Sequence, residues 1–178
     1  MKAVVIDTNV LLVANGRHSD VSIECRKACI TKLLACQRSG IVVIDEGFLI
    51  LQEYQKRTSP NQPKGVGDEF LKWLLQNKSN RKRVHVVPIS QTGDNIYAEF
   101  PDALLQAEFD VQDRKFVAVA NGHPRRPSIW QATDSKWLGW RKRLAQVGVT
   151  VEFICMEDAK KFYVQKFPKQ DIDELLAD

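Results

Sequence analysis

Lys2-Ala3-Val4-Val5-Ile6-Asp7-Thr8-Asn9 is the stretch from which the fold is read. Residues 3 to 7 form a short strand: its apolar run, Ala3 to Ile6, suits a strand buried in a sheet, and it ends on an acid. Open α/β sheets bind their ligands beyond the carboxyl ends of such strands, so Asp7 is a functional candidate. The plainer alternative is that Asp7 caps the turn into the following helix.

Outward from this strand the pattern alternates. A helix is expected from Val21 to Arg38, opened by Ser19 or Asp20 and stopped by Gly40, followed by a strand from Ile41 to Asp45. Phe48 to Arg57 reads as a helix, Pro60 to Gly67 as a loop, and Asp68 to Asn77 as a helix with Phe70, Leu71, Trp73, Leu74 and Leu75 on its buried side. The strand from Val84 to Ile89 contains a proline, which points to a sheet edge or an early end. Helices are expected around Pro101 to Ala107 and from Val111 to Ala120, the latter apolar nearly all round and therefore central. A strand from Ser128 to Thr133, a helix from Lys136 to Gln146 and a strand from Val149 to Ile154 complete the series. Such alternation predicts an α/β fold with a mainly parallel sheet between helices.

Three further acids fall at comparable places. Glu53 lies in the helix after the second strand, Asp113 in the first turn of the apolar helix, and Asp134 directly after the strand that starts at Ser128. Asp7 and Asp134 end strands and Asp113 opens a helix, so these groups are placed to meet at the carboxyl edge of the sheet. Carboxylates gathered there repel one another unless a cation or a proton offsets them. Oxygen ligands without paired His or Cys suit Mg2+ or Mn2+ better than zinc. Taken singly, each acid is equally readable as a helix cap or a solvated side chain.

In these motifs the chain resembles the PIN-domain nucleases, a family that includes the VapC-type toxins. The resemblance rests on Val5-Ile6-Asp7-Thr8-Asn9, Leu51-Gln52-Glu53-Tyr54, Asp113-Arg114-Lys115-Phe116-Val117-Ala118-Val119-Ala120 and Ala132-Thr133-Asp134-Ser135-Lys136-Trp137. It implies a three-layer α/β/α sandwich (PIN-like) over residues 1 to 155, with residues 156 to 178 a helical extension or tail. It also implies a Mg2+- or Mn2+-dependent ribonuclease that cleaves phosphodiester bonds of single-stranded RNA, a toxin or an RNA-processing enzyme. Asp7, Glu53, Asp113 and Asp134 are then the metal-binding and catalytic residues, with Thr8, Asn9, Asp110 and Ser135 as polar support. Many family toxins are shorter, and this chain adds the helical segment around Asp68 to Arg83 and the tail. For Asp110 a helix-capping role is the preferred reading, and Asp45 and Glu46 compete with Glu53 but lie too near the strand end.

Two other functions share features with this pattern. A haloacid-dehalogenase-type phosphatase also starts with a strand ending in Asp, but needs a second Asp where Asn9 stands. A PIN-like module that binds RNA or protein without cutting is the non-enzymatic alternative. Gly65-Val66-Gly67 lacks the Lys and Ser/Thr of a phosphate-binding loop. His18, His85 and His123 are scattered and are read as surface or core histidines.

The net charge of +4 is unevenly placed: residues 78 to 143 hold twelve Lys or Arg against seven Asp or Glu. Arg81, Lys82, Arg83, Arg125 and Arg126 are therefore expected to contact nucleic-acid phosphates, unless they form only solvated clusters. Trp130, Trp137 and Trp140 could stack on bases, although packing is the preferred role of Trp137. Expected partners are RNA, an inhibitory protein of antitoxin type and a second copy of the chain. With 44% hydrophobic residues across 178 positions the chain can bury a core of its own. No apolar run nears the roughly 18 residues of a membrane span, so no membrane partner and a cytoplasmic location are expected. Cys25, Cys29, Cys36 and Cys155 lack a Cys-x2-Cys pair and are read as reduced, partly buried thiols in preference to a metal or disulfide role.

Overall fold

The computed structural model describes residues 2–176. In chain order its elements are β1 (Ala3–Ile6), α1 (Thr8–Ala14), α2 (Ile23–Ser39), β2 (Ile41–Asp45), α3 (Leu49–Arg57), α4 (Val66–Asn77) and β3 (Val84–Val87). A small hairpin of β4 (Gln91–Gly93) and β5 (Ile96–Tyr97) follows, then α5 (Ala103–Glu108), α6 (Arg114–Gly122), β6 (Ser128–Gln131), α7 (Lys136–Gln146), β7 (Val151–Phe153), α8 (Met156–Lys166) and α9 (Ile172–Leu176). The five larger strands form one parallel sheet in the order β3-β2-β1-β6-β7 between helices, a three-layer α/β/α sandwich.

The continuous Val/Ile runs explain this arrangement, because a parallel sheet covered by helices buries both faces of its central strands. Val4, Val5 and Ile6 are at most 1% exposed, and every residue of β2 is buried. Val4 stands opposite Val42 on one side and Ser128 on the other, which makes β1 the centre of the sheet. The chain builds β1, β2 and β3 outward in one direction, then returns to place β6 and β7 on the other side of β1. The reversal opens a crevice between the carboxyl ends of β1 and β6, where open α/β sheets bind ligands.

Several boundaries differ from expectation for identifiable reasons. Residues 8 to 14 form a helix directly after Asp7. The cap of α2 is Ser22, whose Oγ accepts the Cys25 N–H at 3.1 Å, not Ser19 or Asp20. Asp158, far along the chain, selects this cap by accepting both the Ser22 N–H and its hydroxyl at 2.8 and 2.9 Å. β6 ends at Gln131 because Thr133 turns its N–H and hydroxyl to Asn9. β3 stops before Pro88 and lies at the sheet edge, as the proline predicts.

The helix from Val66 packs on α1 and α2. Gly67 makes that approach possible, since a Cβ there would lie 2.2 Å from the Leu11 carbonyl oxygen. Within the tail, Met156–Lys166 and Ile172–Leu176 are helices, and α8 packs on α7 through Leu138, Ala159 and Tyr163. The cysteine expectation is corrected. Cys25 and Cys155, 130 positions apart, are joined in a disulfide, while Cys29 and Cys36 are free and buried. The β7–α8 turn lands on the first turns of α2, a proximity that spacing along the chain does not reveal.

Candidate functional site

The end of β1 delivers Asp7 to the crevice. Its Oδ1 accepts the Asn9 N–H at 2.8 Å, so the capping role and the functional one coexist in one carboxylate. Asn9 extends across the crevice, where its Oδ1 accepts the Thr133 N–H and hydroxyl at 2.9 and 3.0 Å. These bonds clamp the loop after β6 to the first turn of α1 and set Asp134 beside Asp7. Asp134 is held in turn by the Lys136 N–H, 3.1 Å from its Oδ1.

Glu53 reaches the same edge from α3. Its Oε1 accepts the Thr8 hydroxyl, and its Oε2 pairs with the Lys115 ammonium. The neighbouring Tyr54 hydroxyl donates to the Ile6 carbonyl and pins α3 to the end of β1. Asp113 opens α6, and the buried Trp137 indole N–H donates to its Oδ2 at 3.1 Å.

The electrostatics show how close these groups are. Burial, then the charge of Asp113, with smaller contributions from Glu53 and Asp134, holds Asp7 well above the usual carboxylate range against the Asn9 hydrogen bond. Burial, then Asp134 and Asp110, pushes Asp113 up to about 7 against the Trp137 hydrogen bond. Four acids therefore share an underneutralised site, which a divalent cation would relieve. Among the described residues, no three carboxylates have oxygens within 4.8 Å of one another. Ligands on one octahedral Mg2+ lie at most about 4.2 Å apart, so in this arrangement one ion meets at most two carboxylates directly and the others through water. That coordination is ordinary for Mg2+, and the all-oxygen donor set fits Mg2+ or Mn2+.

The supporting residues divide by role. Thr8 and Asn9 orient the site as described. Ser135 is buried at the start of α7 but makes no side-chain cap bond. Asp110 accepts the Gln112 N–H at 3.3 Å and pairs with Lys136 at 2.6 Å, and the Lys136 ammonium is the main reason its carboxyl stays below the usual range. It stands at the rim as a local cap and ion-pair partner. Asp45 is committed to capping α3 through the N–H groups of Leu49 and Ile50, and Glu46 is exposed.

Lys115 joins the site although the pattern of acids does not mark it. A buried Lys in a helix that continues Phe116 to Ala120 must be paired, and that anomaly is its visible signal. With Glu53, Lys56, Arg57, Asn95 and Tyr97 it lines a recess of about 320 Å3 beside the acids.

The expected phosphate contacts are not brought to this site. Arg81, Lys82 and Arg83 precede β3, and Arg125 and Arg126 precede β6, so all five lie at the amino edge of a parallel sheet. The acids stand beyond the opposite edge, about 13 Å away by a four-residue strand. Arg83 is further committed: it donates to the carbonyls of Cys36, Gln37 and Arg38 at the end of α2 and lies over the Trp73 ring. The tryptophans are also engaged: Trp130 donates to Glu152, Trp137 is fully buried and Trp140 packs on Phe109. Compared with known proteins, the chain matches no family model, and no curated protein or solved structure is recognisably similar to it.

Proposed function

We propose that this chain is a Mg2+- or Mn2+-dependent ribonuclease acting on single-stranded RNA. The observation that carries the reading is the group of four acids from separate elements at the switch-point crevice, two of them, Asp7 and Asp113, held above the usual carboxylate range by burial and by the carboxylates around them. Asp7, Glu53, Asp113 and Asp134 would hold the cation. When bound, it supplies a lowered pKa for attacking water and charge stabilisation at the phosphate.

The chain's own groups prepare that chemistry. Asn9 and Thr133 fix the spacing between the start of α1 and the loop after β6. Thr8 and Trp137 hold Glu53 and Asp113 in place. With Lys115 paired to Glu53, Lys56 and Arg57 give the recess a net positive charge suited to a phosphate.

The test compares wild type with Asp7→Asn, which preserves shape and removes a charge. Cleavage of a labelled single-stranded RNA in Mn2+ should fall by about a hundredfold or more, the scale of losing a principal electrostatic element. Unchanged cleavage by the folded variant, after contamination has been removed, would defeat the proposal. The Glu53–Lys115 pair favours a second reading, a binding module in which protein supplies the countercharge. RNA binding by wild type without cleavage in Mn2+ would establish it.

A further inference from the structure

Away from the acids, three sulfur atoms gather where α2 meets the β7–α8 turn. The Sγ atoms of Cys25, Cys29 and Cys155 lie within 4.8 Å of one another, and all three residues are buried. Cys25 and Cys155 form the bridge, yet Cys29 Sγ stands only 3.8 Å from Cys155 Sγ. Cys25 and Cys29 occupy adjacent turns on one side of α2, since residues four apart on a helix are neighbours. Both therefore present sulfur to the same Cys155.

An open groove of about 360 Å3 runs over this place, lined by Ser22, Cys25, Ala28, Cys155, Met156 and Asp158 among others. The two bridged cysteines border it and Cys29 does not. An outside molecule therefore meets the bridge first, with the third thiol behind it.

We propose that Cys25, Cys29 and Cys155 form a thiol–disulfide exchange site whose co-reactant is a small thiol entering this groove. The thiolate of the small molecule attacks Cys155 Sγ, the Cys25–Cys155 bond breaks, and Cys25 leaves as a thiolate that takes a proton. Cys29, giving up its proton, then attacks Cys155 Sγ, forms Cys29–Cys155 and releases the small thiol. One disulfide is exchanged for another, and no net oxidant or reductant is consumed.

Burial, then the Asp158 carboxylate, pushes the Cys29 thiol up to about 12, so the second step is slow near neutrality. The exchange moves the tie along α2 by four residues, about 6 Å. The tie then leaves the first turn, which follows the segment whose His18 Nε2 lies 3.3 Å from Asn9 Nδ2 at the acidic site.

Disulfide mapping of the full chain tests this, after equilibration in a buffer of reduced and oxidised glutathione and acid quenching. Arg26 and Lys27 separate Cys25 from Cys29, so trypsin distinguishes the two bridges. Wild type should yield both Cys25–Cys155 and Cys29–Cys155 peptides. Cys25→Ser, which keeps three cysteines of the original four, should titrate as one free thiol because Cys29 takes over Cys155. Three free thiols in that variant, or only the Cys25–Cys155 peptide from wild type, overturns the proposal. Stoichiometric zinc retained by the reduced chain and lost in Cys29→Ser also overturns it, in favour of a metal–thiolate site. Wild-type mapping decides the matter even if Cys25→Ser does not fold.

Discussion

Asp113 is the residue whose environment makes the sharpest solution prediction. Its carboxyl is pushed up to about 7, above its unfolded value of 3.8, so the folded state holds the proton more tightly. Between those values the folded state binds more protons than the unfolded one. The contribution to stability is therefore complete below the unfolded pKa and is lost as pH rises toward 7. The loss is on the order of 4 kcal/mol once the carboxyl is ionised in the folded state. Thermal melts in EDTA should show wild type losing stability relative to Asp113→Asn as pH rises from 4 to 8. Mn2+ should reduce that loss, because a cation favours the ionised carboxylates. Parallel melting curves for the two proteins across this range would contradict the assignment. The identity of Asp113 as an acid in a site could be read from the chain. Its raised pKa could not, because it depends on burial and on Asp134 and Asp110.

At the scale of elements, the contact between α1 and α4 depends on backbone approach rather than on side-chain fit. A Cβ at Gly67 would lie 2.2 Å from the Leu11 oxygen and 2.9 Å from Asn15 Oδ1, and the first neighbour is backbone that cannot swing aside. Gly67→Ala should cost about 1–3 kcal/mol, the usual range for forced overpacking, read as a lower Tm. An unchanged Tm would show that the two helices separate freely. The same contact gives Asp68 a structural role: it accepts N–H groups from Ser59, Lys64 and Asn15, bonds that keep its carboxyl below the usual range despite burial. The sequence showed α4 as a helix with an apolar side. Its partner was hidden, because a pattern of 3.6 residues identifies the buried face but not what covers it.

For the whole molecule, the parallel sheet separates charge into two edges, with the acids beyond the carboxyl ends and Arg81, Lys82, Arg125 and Arg126 at the amino ends. On the proposed function, an RNA held for cleavage should therefore use Lys56 and Arg57 at the recess beside Glu53. Single-stranded RNA binding should weaken with salt at a slope of roughly −0.7 per phosphate contact. Lys56→Gln with Arg57→Gln should flatten the slope by up to about 1.4, whereas Arg81→Glu with Lys82→Glu should leave cleavage within about threefold of wild type. The opposite pattern in a salt titration would move the RNA path to the amino edge.

Local pattern alone determined the alternating strands and helices, the burial of the Val4 to Ile6 run and the placing of Asp7, Asp113 and Asp134 at element ends, because periodicity and burial preference act over a few residues. Only tertiary structure decided that Asn9 clamps Thr133, that Lys115 neutralises Glu53, and that Asp158 selects the Ser22 cap. It also decided that Cys155 meets Cys25 and that the basic clusters face away from the acids. These relations join residues far apart along the chain. Their physical origin is the order in which strands pack, and that order is set by the burial of the whole core, not by any one segment.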